Sequence, residues 1–498
     1  MRRGSMAAIL GIDIGTSSAK VMLLDAKTGE QWVQAQAYDV STPQTGWAEQ
    51  NPELWWQAVR NCLALLKAQH GKVYRETACI GLSGQMHGLV LADGDCVPVR
   101  PAILWNDQRS GEECELLRRL IPEDLQRRCL KNRIFPGFAL PSLLWVQRHE
   151  PEIFAGVKWV MQPKDYVRSR LTGCVGAEVS DASASLLFDL EKRDWAWEIL
   201  ERCGVSDRLF PECHESWEIQ GTVSKECASL TGLPETAQVI YGMGDQQAQS
   251  IGNGVLHEGT FICNIGTGGQ ISSYSEKPVS DSQLRTQTFC HGLPGAYTVY
   301  GAVLNAGMSL KWLKDQVLRE TDFRQMSGMA QQVPPGSEGL IFLPYLTGER
   351  TPHMNPDARG IFFGLHLTHG REHMARAVME GVTFALRESM EILEAMGLLC
   401  ERILSSGGGA SSPVWLQIQA DIFRREVQVC QVKEQACLGA CMLAGTAVGI
   451  YGDISEAARS LVTFAPEVYR PDQEHVERYR RQYEKYREIY RQVKKLFP

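Results

Sequence analysis

A turn rich in glycine and hydroxyl residues near the N-terminus constrains the fold of this chain more than any other stretch. Apolar residues run from Met6 to Ile12, the sequence Gly15-Thr16-Ser17-Ser18 follows, and a second apolar run begins at Val21. This pattern predicts two β-strands joined by a tight turn. The hydroxyls and backbone N–H groups of such a turn, with the positive charge of Lys20 beside them, suit phosphate oxygens. Many hairpins of this composition bind no ligand, so the turn alone leaves both interpretations open.

An aspartate precedes this turn. Asp13 lies at the end of the first predicted strand, two positions before Gly15. The hard cation Mg²⁺ takes oxygen ligands from carboxylates and phosphates together. The sequence therefore predicts that Asp13 holds a magnesium ion next to a bound phosphate group.

The same pattern occurs again about halfway along the chain. The stretch Cys263-Asn264-Ile265-Gly266-Thr267 again consists of an apolar residue, a polar residue, Ile, Gly and Thr. Asn264 lies 251 positions after Asp13, which is close to half of the 498-residue chain. Two similar halves predict a duplicated α/β fold whose hairpins face each other across a cleft. A Gly-Asn-Gly sequence places the boundary near residue 255, which gives an N-terminal domain over residues 1–255 and a C-terminal domain over residues 256–498.

Composition limits the classes of partner. The formal net charge of −7 argues against a broad nucleic-acid-binding surface. The 15 cysteines include no Cys-x-x-Cys pair and no ligand set at metal spacing, which predicts reduced cysteines in a cytoplasmic protein. The uncharged stretch 435–452 is long enough for a membrane span but poor in hydrophobicity, so a buried helix packed against a sheet is favoured. We expect neither nucleic acid nor a membrane as a partner.

Two further stretches place small and polar groups at the ends of predicted strands. The strand Cys79–Ser83 runs into Gly84-Gln85-Met86-His87-Gly88. Strand ends are where an α/β sheet places ligand-binding groups, but packing of Met86 and local capping by His87 explain these residues equally well. A strand from Ile403 runs into Gly407-Gly408-Gly409 and then a helix, which favours a nucleotide contact over a flexible loop.

A second aspartate marks the end of another predicted strand. The apolar residues 239–241 lead into Gly242-Met243-Gly244-Asp245-Gln246, after which helix-forming residues begin. Asp245 therefore occupies a strand end, where it can present a base to a cleft. The same position also suits an aspartate that caps the N-terminus of the helix.

Apolar periodicity and capping residues predict the main helices. They are expected over residues 53–69, 111–129, 141–149, 163–171, 302–318, 372–395 and 413–425. Near the C-terminus, apolar and mostly aromatic residues recur every three or four positions from Val476 to Phe497. This favours a terminal helix that packs its aromatic stripe on its own domain over a basic helix that binds nucleic acid or a partner.

Together these segments resemble the FGGY family of carbohydrate kinases, most closely its xylulokinases. The resemblance runs from Gly11 to at least Gly449. It is carried by residues 11–17, 83–88, 101–107, 244–245, 342–352 and 407–409, and by the stretch from Gly360 to Glu380. The Gly-Gln-Met-His-Gly sequence at 84–88 points to xylulose among the sugars and polyols of the family.

The resemblance implies two actin-like, ribonuclease-H-like ATPase domains with a cleft between them. It implies ATP and Mg²⁺ as cofactors and the conversion of D-xylulose to D-xylulose 5-phosphate, with homodimerisation as a further expectation. Asp245 would take the proton of the terminal hydroxyl, and Asp13 would help to position magnesium. The sugar would be bound by Met86, His87, Asp245 and Gln246. The nucleotide would be bound by Thr16, Ser17, Lys20, Gly266, Thr267, Gly408 and Gly409.

The sequence departs from the family pattern at three places. Gln246 stands where the family usually has asparagine, Ser142 where its first signature expects lysine, and Gln435-Ala436 where it usually has Gly-Pro. These differences keep a kinase as the favoured function and leave two alternatives. The first is a kinase for another ketose or a polyol. The second is a non-sugar ATPase of actin or chaperone type, whose ATP turnover would be indifferent to sugars.

Overall fold

The structure, a computed structural model, describes residues 8–319 and 322–497. Its strands up to residue 244 are β1 (Ala8–Ile14), β2 (Ser18–Asp25), β3 (Gln31–Ala37), β4 (Glu49–Gln50), β5 (Thr77–Gly84), β6 (Val90–Ala92), β7 (Ala102–Ile103), β8 (Trp159–Met161), β9 (Ala177–Glu178), β10 (Phe188–Asp189), β11 (Asp194–Trp195), β12 (Cys213–His214), β13 (Ile219–Thr222), β14 (Gln238–Ile240) and β15 (Met243–Gly244). The later strands are β16 (Gly259–Ile265), β17 (Gly269–Ser275), β18 (Gln287–Cys290), β19 (Tyr297–Val303), β20 (Ile341–Leu343), β21 (Ile361–Phe363), β22 (Cys400–Gly407), β23 (Glu426–Cys430) and β24 (Phe464–Tyr469).

The α-helices connect and cover these strands. They are α1 (Pro52–Tyr74), α2 (Gly111–Leu120), α3 (Glu123–Leu125), α4 (Ala139–His149), α5 (Pro151–Ala155), α6 (Pro163–Thr172), α7 (Val179–Ser183), α8 (Trp197–Arg202), α9 (Lys225–Thr231), α10 (Asp245–Gly252), α11 (Gly307–Trp312), α12 (Phe323–Gln331), α13 (Arg371–Ala395), α14 (Pro413–Phe423), α15 (Gln435–Ala447), α16 (Ile454–Leu461) and α17 (Gln473–Val493). Wider π-helical turns follow at Gln126–Leu130 and Leu313–Leu318, and short 3₁₀ turns lie at Asp207–Leu209, Ser337–Gly339 and Gly408–Ser411.

The first large sheet is built around β1. Its order is β13-β14-β5-β1-β2-β3, with β1 antiparallel to β2 and parallel to β5, and β15 pairs with the end of β5. Successive residues of a strand point to opposite faces. Leu10 and Ile12 pack in one core with Trp55 of α1, whereas Ile9 packs in another with Cys441 of α15. Because α1 and α15 cover opposite faces of β1, almost all of its residues are apolar.

The second large sheet repeats the arrangement of the first. Its order is β18-β19-β17-β16-β22-β23-β24, with β16 antiparallel to β17 and parallel to β22. Strands β19, β17, β16, β22, β23 and β24 thus correspond to β3, β2, β1, β5, β14 and β13, and β18 is an additional edge strand. The predicted duplicated α/β fold and its two hairpins are confirmed. The exact boundary at residue 255 stays a prediction.

Two helix predictions are wrong in part. One helix was predicted over 111–129, but α2 ends at Leu120 and Pro122 follows. The residue before a proline is disfavoured in helical backbone, so the chain turns there before helix resumes at Glu123. The helix predicted from residue 302 begins later, because β19 continues to Val303 as a partner of β17.

Helix α15 packs directly against the first sheet, although it lies near the other end of the chain. A Cβ atom on Gly81 of β5 would lie 2.0 Å from the carbonyl oxygen of Ala440, and one on Gly11 of β1 would lie 2.2 Å from that of Cys437. Glycine is therefore required at these two strand positions. The prediction of a buried helix over the uncharged stretch is confirmed.

The C-terminal helix α17 packs on the second domain through its aromatic stripe. Tyr479, Tyr483, Tyr486 and Tyr490 are buried in the core that also contains the middle of α13. The predicted docking of this helix is confirmed. None of the helices within residues 8–319 and 322–497 combines the length and the apolar character needed to cross a membrane.

Candidate active site

The carboxyl ends of β1 and β5 bring the first polar groups together. Asp13 lies opposite Ser83 of β5 and Lys20 of β2. The Ser83 Oγ donates a hydrogen bond to Asp13 Oδ1 at 2.8 Å. Burial raises the pKa of Asp13 above its ordinary value, while the Ser83 hydrogen bond and the Lys20 charge act in the opposite direction. The role of Ser83 does not follow from the sequence, because it depends on the register of the two strands.

The turn after β1 is held by contacts with distant segments. The Thr16 hydroxyl accepts a hydrogen bond from the Trp105 indole N–H at 3.0 Å and keeps its own proton to donate, while Ser17 is exposed. The Lys20 ammonium forms an ion pair with Glu434 at 2.6 Å. Part of the Lys20 charge is therefore already compensated. Nucleotide contacts by Thr16, Ser17 and Lys20 stay predictions.

Asp245 lies beside the same strand ends. The short strand β15 runs parallel to β5 with Met243 opposite Ser83, and Asp245 begins α10 immediately afterwards. Gly244 occupies the capping position, so Asp245 is the first helical residue and not the N-cap. Burial, together with the negative charges of Asp13 and Asp181, raises the pKa of Asp245 to about 8. A carboxyl group with such a pKa can accept a proton near neutral pH.

A buried ionic cluster lies behind Asp245, and its role does not follow from the sequence. The Lys164 ammonium of α6 contacts Asp165 at 3.0 Å and both Glu178 and Asp181 at 2.9 Å. Burial lowers the pKa of Lys164, but the three carboxylates outweigh it and hold that pKa above its ordinary value. The cluster is assembled from α6, the end of β9 and α7, which the sequence shows only as a predicted helix and a small polar loop.

The same cluster holds the backbone before Asp245. The Gly244 N–H donates to Ser180 Oγ at 2.9 Å, and the Ser180 hydroxyl donates to Glu178 Oε1 at 2.8 Å. Glu178 also accepts from the Ser216 hydroxyl at 2.6 Å. This chain of hydrogen bonds fixes the strand end from which Asp245 projects.

Met86 lies beside the residue that precedes Asp245, and His87 follows Met86 in the chain. Met86 is buried, and its side chain lies so close to Gly244 that a Cβ atom there would meet Met86 Cγ at 2.7 Å. The His87 ring packs against Phe138 in a tilted arrangement with ring centroids 4.3 Å apart, and its Nδ1 lies 2.6 Å from the Ala184 carbonyl. Burial lowers the pKa of His87 to about 4. A carbonyl only accepts, so neutral His87 donates from Nδ1 and keeps an acceptor at Nε2.

Gln246 points to the second domain. Its Oε1 accepts a hydrogen bond from Nε2 of Gln270 on β17. Gln270 lies opposite Asn264 of β16, the residue that corresponds to Asp13. The predicted sugar contact of Gln246 stays a prediction.

A large cavity in the second domain gathers the other predicted nucleotide residues. Its volume is about 810 Å³, and its lining includes Gly266, Thr267, Gly408 and Gly409, together with Trp415 and residues of α11 and α12. Gly266 and Thr267 form the β16–β17 turn, while Gly408 and Gly409 form the turn between β22 and α14. The two turns meet because β16 and β22 are parallel neighbours. The cavity suits a nucleoside with phosphates directed to the glycine turns.

A second cavity, of about 490 Å³, connects the two domains. Asp13 and Lys20 line it from the first domain, and Asn264, Ser406 and Gly407 line it from the second. No group of three or more His, Cys, Asp or Glu side chains in the described part of the chain is arranged to hold a metal ion alone. Asp13 does fit Mg²⁺ as one oxygen ligand, because this ion commonly takes its other ligands from phosphates and water.

Comparison with known proteins identifies both halves. Residues 8–252 match the FGGY family of carbohydrate kinases, N-terminal domain, and residues 261–448 match its C-terminal domain. The xylulose kinase of Lactococcus lactis is 37% identical over 99% of this chain and 98% of its own length. The gluconokinase of Bacillus subtilis is 35% identical over 89% of this chain and 88% of its own length.

A solved structure shows the same architecture. The crystal structure of xylulose kinase from Rhodospirillum rubrum matches with a TM-score of 0.92 and 30% identity, covering 98% of this chain and 99% of that one. The two sheets described above therefore form the two domains of a known α/β kinase fold. The chain belongs to the FGGY family of carbohydrate kinases, ATP- and Mg²⁺-dependent phosphotransferases with an alcohol acceptor.

Proposed function

We propose that this protein transfers the γ-phosphate of ATP to the terminal hydroxyl of D-xylulose, giving D-xylulose 5-phosphate, with Asp245 as the general base. The observation that carries the proposal is the position of Asp245 beside Asp13 at the strand ends that face the cleft, with Met86 packed against Gly244, the residue before Asp245. The xylulose kinases that match over nearly the full chain support the choice of acceptor.

The residues divide the work of the reaction. Asp245 takes the proton of the acceptor hydroxyl while that oxygen forms a bond to the γ-phosphorus, and the bond from the γ-phosphorus to the oxygen of ADP breaks with its electron pair. Neutral His87 accepts a hydrogen bond from another sugar hydroxyl at Nε2. The N–H groups at Gly266, Thr267, Gly408 and Gly409 bind phosphate oxygens.

Magnesium has a place in this arrangement. Asp13 would hold the ion, which would neutralise charge on the phosphates during transfer. The hydrogen bond from Ser83 orients the Asp13 carboxylate. Positioning and charge neutralisation supply most of the acceleration in phosphoryl transfer, so the accurate spacing of these groups matters more than covalent chemistry.

Acceptor-dependent release of ADP tests this function. ATP and Mg²⁺ are supplied with D-xylulose, L-xylulose, ribulose, glycerol or gluconate, and ADP is followed with coupling enzymes. We expect strong stimulation by D-xylulose alone. Stimulation by gluconate, or by another ketose or polyol, would keep the mechanism and replace the substrate. Gln246 and the similarity to a gluconokinase make this the second candidate function.

We also propose where the protein is located and how it assembles. We infer that it works in the cytoplasm, because its 15 cysteines all lie in the described residues and all have free thiols, as a reducing compartment maintains. The resemblance to the family leads us to expect a homodimer. Light scattering of the purified protein would give a mass near twice 55.6 kDa if this is correct and near 55.6 kDa if it is not.

A further inference from the structure

Two glutamines lie between the groups that the proposed reaction brings together. Gln246 follows Asp245 at the start of α10. Gln270 is the second residue of β17, three positions after Thr267, which lines the nucleotide cavity. One glutamine thus adjoins the proposed base, and the other adjoins the hairpin turn that faces the phosphates.

The two side chains are in direct contact across the domains. Gln270 Nε2 donates to Gln246 Oε1, and both residues are half-buried. Gln270 lies directly opposite Asn264 in the β16–β17 ladder. Residues opposite each other in a ladder project from the same face of the sheet, and Asn264 lines the cavity between the domains. The Gln270 side chain therefore extends on the side of the cleft.

Other polar contacts from the first domain reach a different part of the second domain. Gln247 Nε2 donates to the Cys290 carbonyl at 3.2 Å, and the Cys290 N–H donates to Ser183 Oγ at 2.9 Å. Asn132 exchanges two hydrogen bonds with Thr288. These contacts join the first domain to the edge strand β18 of the second domain. The Gln246–Gln270 pair instead joins α10 to the phosphate hairpin.

We propose that the Gln246–Gln270 pair couples binding of the acceptor to binding of ATP, a positioning role that rests on the kinase function proposed above. A primary amide is donor and acceptor at once. While Gln246 Oε1 is held by Gln270, its Nε2 carries protons for a hydroxyl of the acceptor. An acceptor bound there fixes Gln246, and Gln246 in turn fixes the hairpin that binds the phosphates. Coupling of this kind is reciprocal, so ATP strengthens acceptor binding by the same factor.

Binding measurements on Gln270→Ala test the coupling. The affinity of a non-hydrolysable ATP analogue is measured by calorimetry with and without the acceptor that most stimulates ADP release by the unmodified protein. Losing one hydrogen bond between neutral groups should reduce the ratio of the two dissociation constants by about threefold to tenfold. The affinity for the analogue alone should change less than twofold, and ATP hydrolysis without acceptor should rise relative to phosphoryl transfer.

Two further variants make the test specific. Gln246→Ala removes the other partner, and the double variant Gln246→Ala/Gln270→Ala should lose no more coupling than Gln270→Ala alone, because the partners share one interaction. Gln428→Ala is the matched control, since Gln428 is on β23 of the same sheet and donates to the Ala465 carbonyl at 2.8 Å, away from the cleft. It should keep the full coupling.

The outcomes separate the two proposals. The role of the pair would be overturned if Gln270→Ala kept the full coupling. It would also be overturned if the coupling lost in the double variant equalled the product of the losses in the two single variants. Both results would hold even if D-xylulose is the substrate. Stimulation by an acceptor other than D-xylulose would overturn the substrate, and the coupling would still be tested with that acceptor. An unmodified protein that no acceptor stimulates would overturn both.

Discussion

The two domains share one strand order but carry different chemistry at the same positions. In the first sheet, the row across β2, β1 and β5 is Lys20, Asp13 and Ser83. In the second sheet, the corresponding row across β17, β16 and β22 is Gln270, Asn264 and Ser406. The first row contains two charged residues and the second contains none, although Asp13, Lys20, Asn264 and Ser406 all line the same cavity.

The difference indicates a division of labour between two copies of one scaffold. The first domain collects the carboxylates Asp13, Asp181 and Asp245, which suit a cation and a proton acceptor. The second domain offers glycine turns and a cavity of about 810 Å³, which suit the phosphates and base of a nucleotide. None of the described residues that line this cavity is acidic, which avoids repulsion with the negative phosphates.

Asp245 should show the largest effect, because it is the proposed base of the reaction. We expect Asp245→Asn to lower kcat for acceptor phosphorylation by about a hundredfold to ten-thousandfold. Steady-state assays at saturating ATP measure this. Asp357→Asn, which changes an exposed carboxylate, is the control and should behave like the unmodified protein. Near-normal turnover of Asp245→Asn would show that another group is the base.

Exchanging the central residues of the two rows should have the next largest effect. Asp13→Asn makes the first row resemble the second. We expect it to weaken Mg²⁺ binding by about tenfold to hundredfold, which raises the Mg²⁺ concentration that gives the half-maximal rate. Asn264→Asp adds a negative charge beside the phosphates and should weaken ATP binding roughly tenfold. Titrations of Mg²⁺ and of ATP measure the two effects. If Asp13→Asn and Asn264→Asp changed the Mg²⁺ titration equally and the ATP titration equally, the two rows would not differ in function.

The glycines that end β5 and β22 should differ in their tolerance of a side chain. Gly407 has φ of +73°, and a Cβ atom there would lie 2.5 Å from Asn264 Oδ1. Gly84 has ordinary backbone, and its nearest contact would be Lys164 Cβ at 3.0 Å. We expect Gly407→Ala to lower the free energy of unfolding by about 1–3 kcal/mol and Gly84→Ala to lower it less. Denaturant unfolding of both variants gives the comparison, which the reverse order would contradict.

The smallest expected effect is on the pH dependence of the base. Asp245, with a pKa of about 8, becomes charged as pH rises, so kcat/KM of the unmodified protein should rise through about pH 8. Asp181→Asn removes a neighbouring negative charge and should move this rise to lower pH. Asp421→Asn, which changes a buried carboxylate bonded to His475 in the other domain, should leave it in place. If kcat/KM of Asp181→Asn rises at the same pH as in the unmodified protein, the charge of Asp181 is not a cause of the raised pKa of Asp245.

The raised pKa of Asp245 also affects stability. A carboxyl group whose pKa is higher in the folded protein than in the unfolded chain binds protons more tightly when folded, so its destabilising effect grows as pH rises from about 4 to about 8. Asp245→Asn should therefore raise the melting temperature more at pH 8 than at pH 5. Thermal unfolding at the two pH values measures this, and an equal change at both would contradict the raised pKa.

Local patterns in the sequence predicted the elements of the fold better than the contacts of the site. The two hairpins, the buried helix α15 and the aromatic stripe of α17 each follow from the period and polarity of neighbouring residues. The start of the helix predicted from residue 302 was wrong, because pairing of the end of β19 with β17 outweighs local helix-forming residues.

The contacts of the site could not be predicted, since they join residues that are far apart in the chain. Lys164 of α6 meets Glu178 at the end of β9 and Asp181 of α7 only through tertiary packing, and Lys20 meets Glu434 across 414 positions. No local pattern encodes such pairs. The family resemblance identified positions such as Asp245, but the register of β15 beside β5 is what places its carboxyl group next to Asp13.

The measurement that most directly tests the division between the domains is ligand binding to Asp245→Asn, by calorimetry with a non-hydrolysable ATP analogue and with D-xylulose. If the first domain activates the acceptor and the second binds the nucleotide, the affinity for the analogue should stay within about twofold of the unmodified protein while turnover is lost. A loss of analogue affinity as large as the loss of turnover would contradict this account, because Asp245 would then serve nucleotide binding rather than the acceptor.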